Sequence, residues 1–137
     1  MELLEVDLDN LHLAVGPHSN KVIGMVANLF RDMQLLSGCS ALLPDILRET
    51  GFVDIHSELH GMPLGRSAGQ DGIDGNRTFA AGMAAFKAPI MRSVDGGNEY
   101  VQKEKEFDDL IAGAKEEWLA SDAEVMFYTI YAQRPDL

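Results

Sequence analysis

Two runs with the two-residue period of a β-strand bracket this chain, and the stretch between them switches repeatedly between strand and helix periods. At the start, Leu4, Val6 and Leu8 alternate with Glu5 and Asp7, which predicts a strand over Leu3–Leu8. At the end, Val125-Met126-Phe127-Tyr128-Thr129-Ile130-Tyr131 is dominated by β-branched and aromatic residues and predicts another. A third strand is expected over Phe52–Leu59, with Val53, Ile55 and Leu59 on one face and Asp54, His56, Glu58 and His60 on the other.

Helical spacing fills most of the rest. Val22, Met25, Val26, Leu29, Met33 and Leu36 form a stripe that Ile23 and Phe30 widen. It predicts a helix from a Ser19 N-cap to about Ser37, ended by Gly38. A shorter helix follows, with Pro44 in its first turn and Gly51 as its left-handed terminator. From Gly61 to Asn98 the character changes. Glycines 61, 65, 69, 72 and 75 surround Arg66, Asp71 and Asp74, and read as a long irregular loop. A short helix is expected within Thr78–Met91, before Pro89, and a turn at Asp95-Gly96-Gly97-Asn98. Glu99–Ala120 is a strong amphipathic helix, with Tyr100, Phe107, Leu110, Ile111, Ala114 and Trp118 on its apolar stripe. The alternation favours an α/β layered fold, and no repeat or linker divides the 137 residues into more than one domain.

Composition narrows the function. An apolar content of 46% supports a packed core, and a formal charge of −11 argues against a nucleic-acid or anionic-membrane partner. The single cysteine, Cys39, permits neither an internal disulfide nor a cysteine-based zinc cluster. No apolar run is long enough to span a membrane, and the acidic start is unlike a secretory signal, so the cytoplasm is the expected compartment.

Four segments, in order, carry a resemblance. The opening Leu3-Leu4-Glu5-Val6-Asp7 fits a fifth strand. Leu42-Leu43-Pro44-Asp45-Ile46-Leu47-Arg48-Glu49-Thr50-Gly51-Phe52-Val53-Asp54-Ile55 is similar to the helix, "GF" turn and sixth strand of class I methyltransferases that use S-adenosylmethionine. Met62-Pro63-Leu64-Gly65 resembles the step after that strand in fungal secondary-metabolite methyltransferases. Phe127-Tyr128-Thr129-Ile130-Tyr131-Ala132-Gln133-Arg134-Pro135 is similar to the family's last strand. The resemblance implies a truncated methyltransferase-like domain over residues 1–137: a half Rossmann-like sheet of about three strands, the last inserted antiparallel between the other two. The family's donor-binding glycine loop has no counterpart here, so no cofactor residue carries over and no cofactor or metal is expected. Arg66-Ser67 also departs from the tryptophan and proline expected after the Pro63-Leu64-Gly65 step. An open first-strand edge and a thin core imply a homodimer or hetero-oligomer, with Leu3–Leu8 and the helix Asn20–Ser37 as contact surfaces.

Candidate chemistry centres on histidine. His60, His12 and His18 are candidate general acid–base groups, with Asp71 as an orienting carboxylate. The stripe Asp54, His56, Glu58, His60 has the residue types of a metal site or of a proton-transfer site, and equally those of a solvated outer face. Arg66 could bind a carboxylate or enolate oxygen. Met33, Phe30 and Phe86, with Met25, Phe79, Met83 and Met91, could wall an apolar pocket or simply fill the core. The expected function is a donor-independent cyclase or isomerase acting on a natural-product intermediate. The alternative is a non-catalytic subunit that completes or regulates a separate methyltransferase.

Overall fold

The computed structural model describes residues 1–7, 12–93 and 99–136. The end of the first predicted strand, Leu8, and the turn at Asp95–Asn98 lie outside the described residues. The chain is α/β, with an open three-stranded antiparallel sheet and flanking helices. Its elements are β1 (Glu2–Val6), α1 (Pro17–Asp32), α2 (Cys39–Glu49), β2 (Val53–Pro63), a short 3-10 turn (Arg66–Ala68), α3 (Gln70–Ala84), α4 (Lys87–Arg92), α5 (Glu104–Leu119) and β3 (Glu124–Gln133). β3 is the middle strand, in the order β1–β3–β2. In register, Leu4 pairs with Thr129, Val6 with Phe127, Glu58 with Thr129 and His60 with Phe127.

Several boundaries move for identifiable reasons. Ser19 is the third residue of α1, not its N-cap: its hydroxyl accepts the backbone N–H of Gly16 at 2.9 Å and of Val15 at 3.1 Å. The helix ends five residues before the expected Ser37. Gln34 takes the left-handed conformation (φ 56°), and the Leu35 and Gln34 amides donate to the Phe30 and Arg31 carbonyls at 2.8 and 3.0 Å. That is a Schellman closure with glutamine in the glycine place. Gly51, at φ 90°, closes α2 in the same way, with Phe52 donating to Leu47, as its sequence position implies. Pro44 lies inside α2 rather than in its first turn. The Glu99–Ala120 helix begins only at Glu104, where the Glu106 carboxylate accepts the Gln102 and Lys103 amides.

The glycine-rich stretch is the largest correction. It is not an irregular loop: β2 runs on to Pro63, and α3 begins at Gln70. Its glycines serve close packing. A Cβ on Gly72 would lie 1.8 Å from the Gly65 carbonyl oxygen, and one on Gly75 would lie 2.2 Å from that of Pro63. Asn76, fully buried, donates to the carbonyls of Leu64 and Lys115, both at 3.1 Å, tying α3 to the exit of β2 and to α5.

Two apolar clusters result. The larger joins α1, α3, α4 and α5 around Trp118 and Phe107 and touches the sheet at Met62 and Val125. The Trp118 indole N–H donates to the Leu13 carbonyl at 2.9 Å, so the buried ring keeps its polar atom satisfied. The smaller packs Leu43 and Leu47 of α2 on one face of the sheet, at Leu3, Ile55, Tyr128, Ile130 and Ala132.

Candidate functional site

The N-terminus of α1 and the last turns of α5 build the most organised polar site. The first amides of a helix have no partner within it. Here they are met from across the molecule: the Glu117 carboxylate accepts the backbone N–H of His18 at 2.9 Å and of Ser19 at 2.7 Å. The same carboxylate holds His18 Nδ1 at 2.7 Å. Burial alone would raise the pKa of Glu117. The Ser19 and His18 amides, with their side chains, outweigh that and lower it to about 2. Glu117 is therefore a fixed anion whose negative charge orients the imidazole.

Close backbone approach makes room for this arrangement. A Cβ on Gly113 of α5 would lie 2.4 Å from the His18 ring, and one on Gly16 would lie 2.5 Å from the Glu117 carboxyl carbon. One on Gly24 would meet the Tyr100 hydroxyl at 2.5 Å. Three glycines thus let an imidazole, a carboxylate and a phenol sit directly against backbone. The His18 side chain stays 50% exposed, against 17% for Glu117. It opens onto a groove of about 430 Å³ lined by Lys21, Tyr100, Val101, Gln102, Glu106, Asp109 and Leu110. That volume is within the range of small-molecule sites. With Nδ1 committed to the carboxylate, Nε2 is the ring atom left for proton transfer.

The other predicted site residues do not gather here. His60 lies on β2, 3.5 Å from Glu58 and beside the Phe127 ring. His12 is exposed, in an isolated bridge to Glu124. Asp71 lies exposed in the first turn of α3, where a carboxylate favours the helix dipole. The carboxylates at the histidines are Glu117 and Glu58, not Asp71. Arg66 lies in the 3-10 turn, 3.9 Å from Glu116.

The apolar set divides between core and surface. Phe30 and Phe86 meet edge to face at 6.2 Å, and Met33 is exposed. Phe30 is twelve residues along α1 from His18, about 18 Å at the helical rise. Met25 and Phe79 belong to the core, and the cavity beside Phe79, Met83 and Trp118 holds about 20 Å³, room for one water. Met33, Phe30 and Phe86 therefore do not wall the His18 groove.

The Asp54–His60 stripe is also broken. Asp54 adopts φ 50° at a bulge between Val53 and His56, which takes it out of the alternation. His56 and His60, four residues apart on a strand, are separated by about 13 Å and cannot share one metal ion. Among the described residues no group of three histidine, cysteine or acidic side chains is placed to hold a metal.

Sequence reasoning found His18 but missed Glu117. The two lie 99 residues apart, and on α5 the residue reads as one of several acids on a solvated face. Glycine at 113, inside an otherwise strong helix, was the available signal. No family model, curated protein or solved structure matches this chain. Among the described residues no helix is long and apolar enough to cross a membrane.

Proposed function

We propose that the chain is an acid–base enzyme of the isomerase or cyclase type, working without a methyl donor on a natural-product intermediate, with His18 as the proton-transfer group. The observation that carries this is the 2.7 Å contact between His18 Nδ1 and a Glu117 carboxylate held ionised at the mouth of a groove. Nε2 removes a proton from a carbon acid of the substrate. It then returns that proton at another carbon, or the enolate carbon adds to a carbonyl of the same substrate to close a ring, and the alkoxide so formed takes the proton back from Nε2. Glu117 stabilises the imidazolium between those steps. In this reading Lys21, on the groove wall, meets the developing enolate charge.

The fold supports the origin of such a site. The order β1–β3–β2, with the last strand antiparallel in the middle, is the order that the resemblance to class I methyltransferases implies for their strands five, seven and six. The reading is that a methyltransferase-derived half-domain works as an oligomer and retains only pocket chemistry.

A second reading, a non-catalytic subunit completing a separate methyltransferase, is favoured by one observation: Leu4, Val6 and Tyr131 are exposed on one sheet face. The test is deuterium exchange into enolisable polyketide-like diketones in heavy water, with and without S-adenosylmethionine. The enzyme reading expects exchange that ignores the donor and falls about 100-fold or more in His18→Gln. Exchange unchanged in His18→Gln, or none above buffer, contradicts it.

A further inference from the structure

Among the described residues, the face of the sheet turned away from α2 is left open along its two outer strands. Directly paired residues share a face, so the strand register sorts this one into three rungs. The first is Glu2, Tyr131 and His56; the second is Leu4, Thr129 and Glu58; the third is Val6, Phe127 and His60. Beyond the third rung, Met62 and Val125 enter the helical core. On the three rungs themselves, Leu4 is 66% exposed, and Val6 and Tyr131 are each 40% exposed. This conflicts with the sequence. The apolar alternation of β1 places Leu4 and Val6 as a strand's buried side. In the fold they face outward, while Leu3 and Glu5 lie toward α2.

We infer that a second copy of this chain covers this face, packed sheet to sheet. The register of the face identifies the occupant. The chain carries −11, so most approaches of one copy to another are repulsive. The three strands contain no lysine or arginine. Their bare face carries hydrogen-bond acceptors, the carboxylates Glu2 and Glu58, beside the imidazole N–H donors of His56 and His60. The pattern matches itself under a two-fold axis crossing the strands between the second and third rungs. Leu4 then meets the partner's Val6 and Glu58 meets the partner's His60, each contact occurring twice, on either side of the buried Thr129. Apolar side chains thus meet apolar ones along β1, and a carboxylate acceptor meets an imidazole N–H along β2. The surface is separate from the His18 groove, so its failure would leave the acid–base reading standing.

Sedimentation velocity on the purified chain at micromolar concentration tests this. The expected species is a dimer of the 15.0 kDa chain. Leu4→Glu should convert it to a monomer of unchanged circular dichroism, while Leu36→Glu, at an equally exposed site between α1 and α2, should leave it dimeric. Glu58→Lys should weaken the dimer at least ten-fold, and Glu58→Lys with His60→Glu should restore it. A monomeric wild type, or a dimer that survives Leu4→Glu, overturns the proposal. So does indifference to Glu58→Lys, which an edge-to-edge pair through β1 would show because β2 lies two strands away.

Discussion

In the helical half, Trp118 and Phe107 are wholly buried, and the elements around them are drawn together by glycines that bring backbone against backbone. In the sheet half, α2 covers one face, and the other displays Leu4, Val6 and Tyr131 to solvent. The two halves have similar apolar sequence patterns, yet only one has both sides of its pattern buried. The helical half therefore carries the stability of the isolated chain, and it also carries the His18–Glu117 site, whose two members lie on its two longest helices, α1 and α5. The sheet half leaves apolar side chains open on one face.

Substitutions can break or sharpen that contrast. The largest effect is expected at Phe107→Ala, which should lower unfolding free energy by about 3–5 kcal/mol in urea titration. Leu4→Ala in the monomer should change it by only about 0.5 kcal/mol or less. Equal losses at the two sites would erase the distinction. Next comes Gly75→Ala, whose new Cβ meets the Pro63 carbonyl rather than a flexible side chain. We expect a loss of about 1–3 kcal/mol, measured in the same way.

A pH effect follows from Glu117. Its pKa is lowered from 4.5 to about 2, so the stability it contributes is fully present above about 4.5 and is lost as pH falls toward 2. In Glu117→Gln, the loss of stability between these pH values should be visibly shallower than in wild type when thermal unfolding is followed across the acid range. The smallest effect is at the end of α1. Gln34→Gly relieves the positive φ and should raise stability by about 0.5–1 kcal/mol in urea titration.

These same positions show what was readable from sequence. The three strands, the long α1 and α5, and the Gly51 closure follow from local periodicity and turn chemistry. Such signals act over a few residues, and the sheet order agrees with the one the resemblance implied. What was misread depends on distant partners. Gly65, Gly72 and Gly75 look like loop formers until the carbonyls they pack against are in place. Gln34 ends a helix that Gly38 was expected to end, because nothing in the side chain announces a left-handed conformation. Asp54 leaves its stripe through a bulge that the alternation does not encode. Of the candidate site, His18 was visible as a residue type, whereas its partner became visible only when α1 and α5 were laid side by side.

The most direct test of the account is nitrogen-15 NMR of the His18 imidazole in the whole chain. The account predicts a ring protonated at Nδ1 in its neutral form, with that proton shifted downfield by the Glu117 carboxylate and the signature lost in Glu117→Gln. A neutral His18 protonated at Nε2, or a spectrum unchanged by Glu117→Gln, would contradict the orientation on which the proposed proton transfer depends.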